Sequence, residues 1–174
     1  VVLDQHTGEL KAIVGSRDVP TTQKSLNRAY QSRMPVGSSI KPITVYGPAF
    51  DAGCGLGTII ENIPVAIPGW GTAAGYPNTY GPTPIRTGIV KSLNIVAART
   101  LMTKVGIENS YNYLVNLGVS TKALNADGVG LALGTSGITV IEMAGAYGCI
   151  ANGGTYLEPL SFSKVVDNNG NTIL

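Results

Sequence analysis

Two short clusters of polar residues have the types and spacing needed for nucleophilic chemistry. The first is Ser38-Ser39-Ile40-Lys41, in which a serine precedes a lysine by one helical turn at a predicted helix start. Residues three apart share a helix face, with Cβ atoms about 5–6 Å apart. A lysine with no room for solvent loses proton affinity and can act as general base on the serine. The alternative is a helix-capping serine, Ser38 or Ser39, followed by a surface lysine.

The second cluster is Ser92-Leu93-Asn94, which lies at a predicted junction between two helices. A hydroxyl and an amide two residues apart, on one side of a loop, could relay a proton and hold a substrate amide. The alternative is a simple helix cap, because Ser and Asn are both favoured at that position.

The histidine and cysteine content narrows the chemistry further. His6 is the single histidine and lies in a predicted turn, so a Ser-His-Asp hydrolase would have to use it as its base. We interpret it as a solvated turn residue. Histidine-rich metal sites are excluded by count. Two cysteines, Cys54 and Cys149, are too few for a usual metal site and could form one disulfide or remain free thiols.

Composition limits the class of protein. The 174 residues include 12 Lys+Arg and 10 Asp+Glu, and the resulting net charge of +2 is not typical of a nucleic-acid or polybasic membrane binder. The hydrophobic fraction of 44% excludes a disordered chain. No apolar run is long enough for a membrane span, and the strand-like start shows no signal peptide. The length predicts one domain.

The elements that must position the two clusters are strands at both ends and helices between them. Residues 1–16 predict a hairpin, and residues 155–174 predict another that turns at Asp167–Gly170. A helix is predicted from Ser38 to Asp51, with Pro42 tolerated in its first turn and Pro48 kinking or ending it. The remaining predicted helices are Ile85–Lys91, Ile95–Val105, Glu108–Leu117 and Thr139–Asn152, the last with a capping box formed by Thr139 and Glu142.

Residues 53–84 hold many Gly and Pro residues and predict a long ordered loop. Its aromatic residues, Trp70, Tyr76 and Tyr80, could line a substrate cleft or simply anchor the loop. The order of strands, helices and strands predicts an α+β fold, with an antiparallel sheet and a mainly helical part over residues 38–152. No internal domain boundary is evident from the sequence.

The whole chain resembles the N-terminal part of the transpeptidase domain of class A penicillin-binding proteins. The two clusters match the Ser-x-x-Lys motif and a variant of the Ser-Asp-Asn motif, here Ser-Leu-Asn. Longer segments also match, in order: Val1–Asp4, Thr7–Glu9, Ala12–Asp18, Asn27–Ala29, Pro35–Pro42, Ser92–Ile95, Leu133–Thr139, Glu142–Ala144 and Ala151–Gly154. The resemblance implies a serine β-lactamase/transpeptidase-like fold, incomplete within residues 1–174.

The resemblance also implies a mechanism. Ser38 would attack the penultimate D-Ala carbonyl of a peptidoglycan stem peptide ending in D-Ala-D-Ala, and Lys41 would take the serine proton. Ser92 would pass a proton to the leaving D-Ala, and Asn94 would position Lys41 and the substrate amide. An amine from a neighbouring stem would complete the cross-link. β-Lactams would acylate Ser38 as substrate mimics, and no metal or cofactor is implied.

The third family motif, Lys-Thr-Gly, is absent from this sequence. In the family it supplies a cation for the substrate carboxylate and leads to an oxyanion-hole N–H. Either the sequence is a truncated piece of the domain, or the rest of the domain lies in a separate chain. We expect the second, a partner fragment of the same protein that carries this motif. The resemblance further implies an extracytoplasmic location, with the parent protein anchored in the bacterial membrane by an N-terminal segment outside this chain.

Two rival functions remain open at this stage. The first is a β-lactamase or β-lactam sensor of the same fold, which as a hydrolase would need a base for deacylation. Glu61, Glu108 and Glu142 are candidates by residue type, although Glu142 fits better as a helix-capping residue. The second rival is a non-catalytic peptidoglycan-binding fragment, which the missing third motif favours.

Overall fold

The structure, a computed structural model, describes residues 1–19, 21–67, 71–73 and 81–174. It divides into two compact units, a division that the sequence did not predict. The first unit combines residues 1–32 with residues 139–174, and the second unit comprises residues 33–138. The helix predicted at Thr139–Asn152 therefore belongs with the terminal strands and not with the other helices.

The secondary structure is mixed, as the sequence predicted. The α-helices are α1 (Arg28–Gln31), α2 (Gly47–Asp51), α3 (Ile85–Val90), α4 (Asn94–Thr100), α5 (Ile107–Asn116), α6 (Gly128–Leu133) and α7 (Val140–Ala151). The strands are β1 (Val2–Leu3), β2 (Leu10–Ala12), β3 (Met34–Pro35), β4 (Ile59–Asn62), β5 (Val65–Ile67), β6 (Gly71–Ala73), β7 (Gly81–Pro84) and β8 (Gly137–Ile138). Within the described ranges, no helix has the length and apolar character needed to cross a bilayer.

The first unit contains the predicted N-terminal hairpin and the C-terminal helix α7. Strands β1 and β2 are antiparallel and shorter than predicted, with Val2 opposite Ala12. Leu160 lies beside β2, where the Leu10 N–H donates to its carbonyl at 2.8 Å. Helix α7 begins with the predicted capping box, in which Thr139 and Glu142 each accept a hydrogen bond from the other's backbone N–H.

The C-terminal hairpin is only partly formed. The predicted turn is present, because the Asp167 carboxylate accepts hydrogen bonds from the backbone N–H groups of Asn169 and Asn171. Regular strands do not flank this turn, and a single bridge between Val166 and Thr172 takes their place. The expectation of a full hairpin over residues 155–174 is therefore wrong in its strands.

The second unit is built around α4, whose residues Ile95–Ala98 are all buried. Helix α6, strand β4 and the segment Pro42–Tyr46 pack against α4. Three antiparallel pairs, β3–β8, β4–β7 and β5–β6, complete this unit. The region predicted as a long loop thus contains four short strands, while Trp70, Tyr76 and Tyr80 lie outside the described residues.

The Ser38 helix, which we define as residues 37–51, changes its hydrogen-bonding pattern twice. It begins as a 3₁₀ segment (Gly37–Ile40), continues as a π-helical segment (Pro42–Tyr46) and ends as α2. Pro48 cannot donate a backbone hydrogen bond to the carbonyl of Thr44. The Ser110 hydroxyl supplies that donor instead, at 2.8 Å. The helix continues to Asp51, so the expectation that Pro48 would end it is wrong.

Candidate active site

Lys41 lies in the Ser38 helix with only 2% of its surface exposed. Its Nζ atom donates hydrogen bonds to three oxygens: the Ser92 carbonyl oxygen at 2.8 Å, the Ser92 hydroxyl at 3.2 Å and Asn94 Oδ1 at 2.6 Å. The structure thus joins the two sequence clusters, which are about fifty residues apart in the chain. The alternative of a surface lysine is wrong.

Burial changes the acid–base behaviour of this amine. It lowers the pKa of Lys41 from 10.5 to about 8, because the charged form is poorly solvated. Within the described residues, no carboxylate forms a salt bridge with Lys41 that would offset this effect. Burial produces the shift, as the sequence argument expected. Lys41 therefore gives up its proton closer to neutral pH than an exposed lysine does.

An unusual backbone conformation at Ser92 presents this residue to Lys41. Ser92 has φ +51°, a left-handed conformation that is uncommon outside glycine. The Leu93 N–H donates to the Gly88 carbonyl at 2.9 Å, which closes α3 just before α4 begins. Helix α4 has Leu93 at its N-cap and no side-chain capping bond. Asn94 therefore does not cap α4, and the alternative of a simple helix cap is wrong.

Ser38 is the second residue of the 3₁₀ segment and is exposed to solvent. Its carbonyl accepts a hydrogen bond from the Lys41 backbone N–H, so the two residues are separated by one helical turn. The neighbouring Ser39 hydroxyl donates locally to the Val36 carbonyl at 2.7 Å. Ser92 and Asn94 are also exposed. The buried amine of Lys41 thus contacts the exposed residues Ser92 and Asn94. Lys41 itself follows the exposed Ser38 by one helical turn.

The three hydrogen-bond partners of Lys41 Nζ differ in whether they can donate a proton to it. The Ser92 carbonyl and Asn94 Oδ1 can only accept hydrogen bonds, whereas the Ser92 hydroxyl can accept or donate. A protonated Lys41 can donate to all three. A neutral Lys41 keeps two N–H groups, which satisfy the two acceptor-only oxygens. The lone pair then remains available to a hydroxyl proton. The Ser92 carbonyl was missed at the sequence level, since a backbone group carries no residue-type signal.

Glu61 and Glu108, two of the candidate glutamates, do not join this cluster. Glu61 on β4 and Glu108 in the first turn of α5 are both exposed. Neither of them forms a hydrogen bond with Lys41, Ser92 or Asn94 in the part of the chain that the structure describes. Glu142 takes part in the capping box of α7, as the sequence predicted.

His6 and the cysteines behave as ordinary structural residues. The His6 backbone N–H donates to the Asp4 carboxylate at 2.9 Å in an exposed turn, as predicted. Cys54 and Cys149 are free thiols. Among the described residues, no group of three or more His, Cys, Asp or Glu side chains could hold a metal ion.

A Ser-x-x-Lys helix facing a Ser-x-Asn turn is the arrangement shared by penicillin-binding proteins and serine β-lactamases. Comparison with known families separates the two. The model of the family described as "Penicillin binding protein transpeptidase domain" matches residues 1–173. The chain therefore belongs to the penicillin-binding protein transpeptidase family, whose members act in bacterial cell-wall synthesis. This confirms the family and the fold class expected from the sequence.

Individual relatives agree with this assignment. Penicillin-binding protein 1A of Clostridium botulinum is 38% identical over 191 residues and covers all of this chain. The crystal structure of penicillin-binding protein 1A from Haemophilus influenzae matches 87% of the chain at 36% identity, with a TM-score of 0.73. The Mycobacterium tuberculosis PonA1 protein in complex with penicillin V shares the fold, with a TM-score of 0.82 at 24% identity. The chain spans only 23% of each of the first two relatives and 48% of the third.

Proposed function

We propose that this chain carries the serine nucleophile of a D,D-transpeptidase that cross-links peptidoglycan stem peptides. The observation that carries the proposal is the buried amine of Lys41, which hydrogen-bonds Ser92 and Asn94 one helical turn after Ser38. Membership of the transpeptidase family supports the same reaction class. The proposed substrate is a stem peptide that ends in D-Ala-D-Ala.

In the proposed first step, Ser38 Oγ attacks the carbonyl carbon of the penultimate D-Ala, and neutral Lys41 accepts the hydroxyl proton. A C–O bond forms as the carbonyl π electrons move to the oxygen. The N-terminal end of the Ser38 helix favours the negative charge that develops there. The tetrahedral intermediate then collapses, the C–N bond breaks, and the terminal D-Ala leaves as an amine.

Ser92 fits the role of proton donor to that leaving amine. Its hydroxyl lies 3.2 Å from Lys41 Nζ, so a proton taken up by Lys41 can be passed on through Ser92. Asn94 holds Lys41 through Oδ1 and has its amide N–H₂ group left for the substrate backbone. In the second step the amine of a neighbouring stem peptide attacks the acyl-enzyme, which restores Ser38 and forms the cross-link.

The same chemistry predicts acylation by β-lactams. A β-lactam ring has no separate leaving amine, so the opened ring stays attached to Ser38 after the C–N bond breaks. The relative crystallised with penicillin V supports this expectation at the level of the family. We therefore propose that penicillin forms a covalent adduct with the hydroxyl of Ser38.

The activity is proposed to need a further segment of the same protein that carries the Lys-Thr-Gly motif. The end of the chain supports such a partner, because its apolar side chains are exposed: Phe162, Val166, Ile173 and Leu174 are 50–70% exposed. A further segment packed against this end of the chain would cover these side chains. We also propose that the parent protein acts on the extracytoplasmic face of the bacterial membrane, anchored by an N-terminal segment.

The proposal is tested by intact-mass spectrometry before and after incubation with a penicillin. Two samples are compared: this chain alone, and this chain within its full-length protein. We expect the full-length protein to gain the mass of one penicillin, located by peptide mapping to the peptide that contains Ser38. We expect little adduct on the chain alone, because the cation and oxyanion N–H of the third motif would be missing.

Each other outcome points to a different conclusion. No adduct on either sample would contradict the proposed function and favour a non-catalytic peptidoglycan-binding role. Rapid release of hydrolysed penicillin would favour a β-lactamase. A stable adduct that forms equally fast on the chain alone would show that no partner segment is needed.

Asn94→Asp is predicted to slow acylation strongly near neutral pH. The new carboxylate would lie where Asn94 Oδ1 now lies, 2.6 Å from Lys41 Nζ. An opposite charge at that distance raises the pKa of an amine by about 1–3 units. Each unit leaves about tenfold less neutral Lys41 below that pKa, so we expect acylation at pH 7 to fall roughly 10- to 1,000-fold.

The measurement is the rate of penicillin acylation as a function of pH. The midpoint of the Asn94→Asp profile should lie above that of the wild type, which we expect near pH 8. Asn112→Asp is the matched control, because Asn112 is exposed on α5 and the same change there leaves the profile in place. An unchanged midpoint in Asn94→Asp would contradict Lys41 as the titrating base.

A further inference from the structure

We infer that Gly134 is a positioning residue for the nucleophile Ser38, and this inference rests on the proposed function. Gly134 follows the last residue of α6 and adopts a left-handed conformation with φ +74°. Its carbonyl accepts a hydrogen bond from the backbone N–H of Gly37 at 3.0 Å. Gly37 directly precedes Ser38 in the chain. Gly134 thus fixes the start of the turn that presents the serine.

The contact between these two glycines leaves no room for a side chain at position 134. A Cβ atom at Gly134 would overlap the carbonyl oxygen of Gly37 and would lie 2.6 Å from its nitrogen and 2.7 Å from its carbonyl carbon. All three atoms belong to the backbone, so no side-chain rotation relieves the overlap. A methyl group at Gly134 would therefore displace the backbone next to Ser38.

A second hydrogen bond connects the same two elements. The Thr44 hydroxyl, in the π-helical part of the Ser38 helix, donates to the carbonyl of Leu131 in α6 at 2.7 Å. The last carbonyls of an α-helix have no donor within the helix itself. Here the Ser38 helix supplies a donor to one of them, the Leu131 carbonyl, and a second donor to the carbonyl of Gly134, the residue that follows α6. Helix α6 therefore holds the Ser38 helix at two points.

The consequence for the reaction concerns Ser38 more than Lys41. Lys41 is held independently by Ser92 and Asn94, which belong to the α3–α4 junction. Displacement of the Gly37 backbone would move the Ser38 hydroxyl relative to an amine that stays in place. A misplacement of about 1 Å costs roughly 100-fold in rate. We expect a loss of about that size from Gly134→Ala.

The experiment measures penicillin acylation by the full-length protein carrying Gly134→Ala, with Gly106→Ala as matched control. Gly106 also follows a helix and has φ +83°, but a Cβ atom there meets nothing within 4 Å. Gly106 has ψ 152° where Gly134 has ψ 41°, so Gly106→Ala introduces the greater backbone strain, whereas only Gly134→Ala introduces the overlap. We expect Gly134→Ala to lower the acylation rate constant about 100-fold relative to Gly106→Ala. Noncovalent penicillin affinity and the midpoint of the pH profile should stay unchanged.

Equal acylation rates, within threefold, for the two folded variants would overturn the inference. A shifted pH midpoint would also overturn it, because the change would then act through Lys41. Failure of the wild type to be acylated would instead contradict the proposed function.

If Gly134→Ala does not fold, Thr44→Val and Thr44→Ser decide the question. Thr44→Val removes the hydroxyl that reaches α6 and is expected to slow acylation at least tenfold, whereas Thr44→Ser retains that hydroxyl and should restore the rate. Wild-type acylation by Thr44→Val, or no restoration by Thr44→Ser, would overturn the inference.

Discussion

Ser38→Ala is expected to abolish penicillin labelling, while Ser39→Ala is expected to be labelled at close to the wild-type rate. The two serines are adjacent and both exposed, so they form a matched pair. Ser38 precedes Lys41 by one helical turn, which places the two residues on the same face. Ser39 is only two residues from Lys41 and donates its hydroxyl to the Val36 carbonyl at 2.7 Å.

The measurement is intact-mass spectrometry after a fixed time with penicillin at pH 8, where about half of Lys41 is neutral. Circular dichroism of both variants provides the control for folding, and little change is expected because each substitution removes one exposed hydroxyl. Labelling that persists in Ser38→Ala, or that disappears from Ser39→Ala instead, would assign the nucleophile to another residue.

Elements that carry their own start and stop residues could be predicted from the sequence. The capping box of Thr139 and Glu142 predicted the start of α7, and the structure confirms it. The predicted helix Ile95–Val105 ends where expected, before Gly106, whose φ of +83° is one that glycine adopts readily. In both cases the signal lies within a few residues of the feature it controls.

Elements that depend on distant contacts were predicted less well. Pro48 has no backbone N–H to donate to the Thr44 carbonyl, and the Ser110 hydroxyl donates to that carbonyl instead. No local pattern identifies that partner. Helix α6 was missed because it contains Gly128 and Gly130, which have low helix propensity. Its flanking residues, Asp127 at the N-cap and left-handed Gly134 at the end, are signals that could have revealed it.

The candidate site shows the same division between local and distant information. The three-residue spacing of Ser38 and Lys41 predicted a shared helix face, and the structure confirms one helical turn between them. The burial of Lys41 could not be read from the sequence, because it depends on how the α3–α4 junction packs against the Ser38 helix. That packing creates the low pKa of Lys41, so the property that matters most for the chemistry is a property of the fold.

Lys41→Ala is expected to lower the rate of penicillin acylation by at least 1,000-fold while the protein stays folded. A positioned general base contributes about 10²- to 10⁴-fold to a rate, and the loss should lie toward the upper end because Lys41 also connects Ser92 to the reaction. The fold should survive, since Ser92 and Asn94 are exposed and their freed oxygens can bind water. Lys104→Ala, at an exposed position, is the control.

The pH profile distinguishes a base from a fixed positive charge. Burial places the pKa of Lys41 near 8, so the neutral amine becomes about tenfold scarcer with each pH unit below that value. Wild-type acylation should therefore rise with pH and level off above about pH 8. Lys41→Arg keeps the charge but cannot lose its proton in this range, so it should be as slow as Lys41→Ala. Substantial activity in Lys41→Arg, or a wild-type rate that is flat between about pH 5 and 9, would mean that Lys41 acts only as a cation and that another group takes the proton from Ser38.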